Sequence, residues 1–172
     1  SEYFMPGLGG RKLSKENAVE SARVLNAINP DFIRLRTLHV VPGTEMEDLA
    51  KQGGFETMTD DEIIKEIQLF IKNLELDKTR LVSDHILNLL EELEGQFPQD
   101  KAKIVSVIDK YFALADKDRL IFRLGRRSGS LRRLEDLNER DTYCRLKEVV
   151  DSYTAQGRDV DEDMVKIMNS YI

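Results

Sequence analysis

Residues 31–44 read DFIRLRTLHVVPGT. Phe32, Ile33, Leu35, Leu38, Val40 and Val41 are rich in β-forming types, so the segment reads as a strand. Alternation along a strand puts Arg34 and Arg36 on one face and Ile33, Leu35 and Thr37 on the other. Pro42 and Gly43 stop the strand in a turn. Thr44 and Glu47, three residues apart, then have the spacing of a capping box for a helix through Ala50.

Upstream the same order is present. Tyr3, Phe4 and Met5 form a short apolar run that stops at Pro6, Gly7, Gly9 and Gly10, the pattern of a strand ending in a tight loop. Ser14 is placed to cap a helix carrying Ala18, Val19, Ala22, Val24, Leu25 and Ile28. Asn29 and Pro30 end it, because proline disfavours the helical region for the residue before it. Strand, helix, strand, helix within roughly fifty residues predicts parallel βαβ units.

Downstream, Thr59 and Glu62 form a second capping box, followed by Ile63, Ile64, Ile67, Phe70, Ile71 and Leu74 at helical spacing. Burying each of these six is worth about 1.5–3 kcal/mol before chain entropy is subtracted. Arg80 to Ser83 reads as a third short strand, and the following SDHILNLLEELEG as a loop and a short helix. Strand signals stop at Phe97. Pro98 suits a first helical turn, and Ile104, Val105, Ile108, Tyr111 and Phe112 open a helical run that continues to the end, with Gly157 as a break. The predicted fold class is α/β, with about three parallel strands in residues 1–97 and a mostly helical extension in residues 98–172.

The chain has 172 residues, enough to bury a core without disulfides. Its net charge of -6 repels nucleic acid and anionic membranes unless a local patch intervenes. No apolar run approaches the ~20 residues needed to cross a bilayer. A single cysteine, Cys144, excludes an intramolecular disulfide or a multi-cysteine metal site and fits a reducing, cytoplasmic compartment. The chain opens without Met inside a strand, which leads us to expect an excised fragment.

Met5-Pro6-Gly7-Leu8-Gly9-Gly10 after one strand, and Pro42-Gly43-Thr44-Glu45-Met46 after the next, resemble loops of the radical S-adenosylmethionine (radical SAM) iron-sulfur oxidoreductases. The resemblance extends from Tyr3 to Gly95 and implies the later βα units of a partial TIM barrel. It implies S-adenosylmethionine and a [4Fe–4S] cluster as cofactors of the intact parent, the cluster held by a Cys-x3-Cys-x2-Cys loop. That loop belongs upstream of the residues present, so the resemblance implies a truncated domain that is inactive alone, with no cofactor bound to it. It places Met5, Pro6, Gly7 and Gly9 against the adenine, and Arg36 and His39 toward the substrate end of the barrel. The implied partner is the missing N-terminal part of the same protein. An unpaired first strand would otherwise invite a homo-oligomer through edge pairing.

Other candidates have plainer readings beside them. Arg34 and Arg36 need a carboxylate or an anionic ligand if they line an interior, or else they face solvent. His85 beside Asp84 reads as structural or capping, because consecutive residues rarely converge on one atom. Arg123, Arg126, Arg127, Arg132 and Arg133 form a basic cluster that reads either as an RNA contact or as an ion-paired helical surface, since acidic residues flank it. A non-catalytic helical interaction module is the alternative from a different functional class. The run Glu91, Glu92 and Glu94 reads as an amphipathic turn rather than a metal site.

Overall fold

The computed structural model describes residues 1–169 and divides them into two compact units, one reaching Asp109 and one starting at Lys110. The fold is α/β. Among the described residues there are seven α-helices and one four-stranded sheet in the order β1-β2-β3-β4.

In the first unit, β1 (Glu2–Phe4), α1 (Ser14–Ile28), β2 (Phe32–Leu35), α2 (Glu45–Lys51), α3 (Asp60–Asn73) and β3 (Arg80–Val82) follow the predicted order. β1, β2 and β3 are mutually parallel, with Tyr3 beside Arg34 and Arg34 beside Val82. A fourth strand that the sequence did not announce, β4 (Gly95–Gln96), runs antiparallel to β3. The sheet is therefore mixed, and β1 lies at its edge.

The two sheet faces differ. Phe4, Ile33, Leu35 and Leu81 are buried on one, and Phe4 stacks on Phe70 of α3 with ring centroids 3.8 Å apart. α1 and α3 pack side by side, with Ala18 and Ala22 of one and Ile64, Ile67 and Ile71 of the other buried. The opposite face carries Tyr3 at 62% exposure, Phe32 at 41%, and the partly exposed Arg34 and Arg36.

Several local expectations are corrected. Strand β2 ends at Leu35 rather than continuing to Val41, because β1 turns away at Pro6 and Gly7 and leaves little to pair with. Two further bonds, Arg36 N–H to Phe4 O at 2.9 Å and Leu38 N–H to Pro6 O at 2.9 Å, complete the ladder. Ser14 is the first helical residue of α1, and Leu13 stands at its N-cap without a side-chain bond. The Thr59–Glu62 capping box is complete, whereas Glu47 turns its carboxylate to Gly43 N–H instead of Thr44. SDHILNLLEELEG forms no helix. It is a turn-rich segment whose Leu87, Leu89, Leu90 and Leu93 are nonetheless buried.

α4 (Lys101–Ala113) begins in the first unit. The second unit contains α5 (Asp116–Arg127), a 3-10 turn (Leu134–Asn138), α6 (Arg140–Ala155) and α7 (Val160–Asn169). Its core holds Tyr111, Ile121, Phe122, Leu131, Leu146, Val150, Val160 and Met164. A Cβ on Gly125 would lie 2.5 Å from Leu131 Cδ1, so the glycine in α5 makes room for that leucine. No described helix is long and apolar enough to cross a membrane.

Candidate functional site

The loop leaving β1 is held from beneath. Glu66, on the apolar face of α3 and only 2% exposed, accepts hydrogen bonds at Oε1 from Gly7 N–H (2.9 Å) and Asn17 Nδ2 (2.7 Å). Asn17 Nδ2 also donates to Met5 O at 3.1 Å. The other carboxylate oxygen, Oε2, is buried without a hydrogen-bond partner among the described residues. Gly7 has φ +86°, and a Cβ there would lie 2.7 Å from Ile63 Cδ1, so glycine is required twice over.

These bonds define what the loop can offer a ligand. Pro6 and Gly7 are buried, Gly7 N–H serves Glu66, and Gly7 O accepts from Gly10 N–H at 2.9 Å. Gly9 is half-buried, against Leu13. The outward groups are the side chains of Met5, 38% exposed, and Leu8, 50% exposed. An apolar wall is what this loop presents, while its glycines serve internal packing.

A second network ties the ends of β2 and β3 together. Asn88, fully buried, accepts at Oδ1 from Thr37 N–H (3.1 Å) and Thr37 Oγ1 (2.9 Å), and donates from Nδ2 to Leu35 O (3.0 Å) and Ser83 Oγ (3.1 Å). Ser83 Oγ donates onward to Leu90 O at 2.8 Å. Every member is satisfied, the condition under which buried polar groups specify a unique arrangement.

That network sets Asp84 at the strand ends, where it meets both arginines. Arg34 Nη1 bonds Asp84 Oδ2, and Arg36 Nη1 bonds Asp84 Oδ1 at 2.7 Å and Leu35 O at 3.0 Å. Arg36 also lies over the Tyr3 ring, 5.4 Å from its centroid. The hydrogen bond from Arg36, helped by the charge of both arginines, holds the Asp84 carboxyl below the ordinary carboxylate range although partial burial opposes it. His85 follows, with Nδ1 buried and lacking a hydrogen-bond partner among the described residues. Burial first, and the Arg36 charge second, push its pKa down. His39, half-buried, is in the segment after β2 that leads to Pro42, which is exposed.

The sequence thus pointed to Arg34, Arg36 and Met5, and the structure brings the two arginines and Asp84 into one cluster. It missed Glu66 and Asn88 as organisers. Glu66 was detectable, since it follows Ile63 by three residues and precedes Phe70 by four, which puts a carboxylate on an apolar stripe.

The remaining candidates are elsewhere. Cys144 is exposed on α6, and among the described residues no group of three His, Cys, Asp or Glu side chains is placed to hold a metal ion. One cysteine cannot by itself supply the several thiolates that hold an iron-sulfur cluster. In the arginine cluster, Arg127 is buried at 3% exposure, Arg123 pairs with Asp161 at 3.3 Å, and Arg126 Nη1 donates to Leu131 O at 3.3 Å. Only Arg132 and Arg133 are fully at the surface. No family model, curated protein or solved structure matches the chain.

Proposed function

We propose that residues 1–97 form part of the S-adenosylmethionine and substrate wall of a radical SAM iron-sulfur enzyme, as the later βα units of a partial barrel. One observation carries the reading. The Met5–Gly10 and Pro42–Thr44 loops both follow the C-terminal ends of adjacent parallel strands, β1 and β2. Ligand sites of parallel α/β folds form at that end. A sheet with one helix-covered face and one uncovered face is compatible with this reading, which takes the first as the outside of a barrel wall and the second as its inside.

In this reading the Met5 side chain lies against the nucleoside, and Tyr3, Arg34 and Arg36 face the chamber. The cluster ligands come from outside the residues described, so this chain alone is inactive. Further strands of the parent pair with the edge of β1, and in their absence a second copy of the chain takes that edge.

The test begins with the gene. Reading it upstream of Tyr3 is expected to reveal Cys-x3-Cys-x2-Cys, and the longer protein, reconstituted without oxygen, to hold a [4Fe–4S] cluster and yield 5′-deoxyadenosine. Cys144→Ser is expected to leave iron content unchanged. An upstream sequence without the cysteine loop ends the proposal.

A further inference from the structure

The uncovered sheet face concentrates positive charge on a chain that is negative as a whole. Arg34 and Arg36 share a single carboxylate, Asp84, so the trio has a net charge of +1 by formal count. In register with Phe32 on the same face, Arg80 is exposed as well. The chain's net charge is -6. Three arginines on one exposed face, two of them sharing a single carboxylate, provide local charge complementarity for an anion.

The hydrogen bonds leave donors over. Among the described residues Arg34 is bonded through Nη1 alone, and so is Arg36. The Nε and Nη2 donors of two guanidiniums remain, in the fork geometry that matches a carboxylate or phosphate edge. Their side chains are 32% and 25% exposed, so they are mostly out of water yet open to a ligand. Asp84, 44% exposed, holds both arginines in place but does not exhaust them.

Beside these donors is apolar surface. Tyr3 is 62% exposed with Arg36 at its ring, and Phe32 is 41% exposed two residues before Arg34. Exposed aromatic side chains next to unspent guanidinium donors match a ligand with an anionic head and an apolar or aromatic body.

We infer that the Arg34–Asp84–Arg36 cluster with Tyr3 is an oxyanion-binding site for a small molecule whose carboxylate or phosphate is attached to an apolar body. The inference rests on the proposed reading of this face as a chamber wall, and it adds the class of the substrate.

The experiment needs neither cluster nor S-adenosylmethionine, so its outcome is separate from the test of the parent enzyme. The full chain, labelled with nitrogen-15, is titrated with benzoate, phenyl phosphate and neutral benzamide while the arginine Nε–Hε signals are followed by NMR. Saturable shifts at Arg34 and Arg36 are expected with benzoate or phenyl phosphate, and the stronger of the two identifies the head group. Benzamide should give none. Arg34→Gln with Arg36→Gln should weaken binding on the order of tenfold or more, since losing even one charge-assisted bond costs about that much. Asp84→Asn removes the competing carboxylate and should tighten binding several-fold, with stronger dependence on salt. Non-saturable shifts, equal response to benzamide, or weaker binding in Asp84→Asn overturns the inference.

Discussion

Residues 1–109 and residues 110–169 place their polar side chains at different depths. In the first unit the organising groups are buried and reach far along the chain, with Glu66 bonding Gly7 across 59 residues and Asn88 bonding Thr37 across 51. In the second unit the ion pairs keep at least one partner well exposed, both the local ones of Arg119, Lys147, Arg158 and Lys166 and the long-range ones of Lys117 with Asp151 and Arg123 with Asp161. A buried bond that loses one partner strands the other, whereas an exposed pair returns both groups to water. Buried polar contacts therefore shape the first unit, whereas the ion pairs of the second keep at least one partner at the surface of helices that packing already holds.

The largest expected effect is in the sheet-facing core. Phe70→Ala removes a fully buried ring stacked on Phe4 and should cost about 3–5 kcal/mol in urea denaturation. Next comes Asn88→Ala, which strands Thr37 N–H and the Thr37 hydroxyl and should cost about 3 kcal/mol, from roughly 1–3 per stranded group. A loss under about 0.5 kcal/mol, the size of an ordinary surface change, would erase the contrast between the units. Gly7→Ala should cost about 2–4 kcal/mol, from positive φ plus the clash with Ile63. Gly157→Ala, at φ +65° with nothing within 4 Å, should cost only about 1–2.

A pH titration sharpens the comparison further. His85 has a lowered folded-state pKa, so its stabilising contribution is present above the ordinary value of about 6.5 and is lost as pH falls through the folded midpoint. Its NMR midpoint should lie below about 6.5, and Asp84→Asn should move it lower still by removing the charge that favours protonation. Asp84, Asp151 and Asp163 have lowered pKa values too, so both units lose stability further into acid. Only the first unit contains histidine and can respond nearer neutrality. The smallest effect should be Lys147→Ala, with no resolvable change in the denaturation midpoint. Lys147 is bonded to an exposed carboxylate one helical turn away.

The parallel strand order and the helices were legible because their signals are local. Apolar spacing in Ile63 to Ile71 and the Thr59–Glu62 pair needed no tertiary information. Segment 84–94 was not legible as a turn-rich loop, because Leu87, Leu89, Leu90 and Leu93 are buried by contacts that helical spacing cannot describe. β4 escaped notice for a related reason: Gly95 and Gln96 have little strand preference, and they pair only because β3 lies beside them. At the candidate site, alternation placed the two arginines together on one face. That Asp84 would join them depended on Asn88, whose amide has no partner until the fold exists.

The bonds of Asn88 also impose an order of events. Ladder amides of β2 find partners as soon as neighbouring strands pair, but Thr37 must wait for an amide that arrives with the segment after β3. Ordering the residues from Ser83 to Asn88 costs chain entropy before that bond repays it. In pulse-labelling during refolding, the Thr37 amide should therefore gain protection later than the β2 ladder, making the crown of the sheet the last part to set.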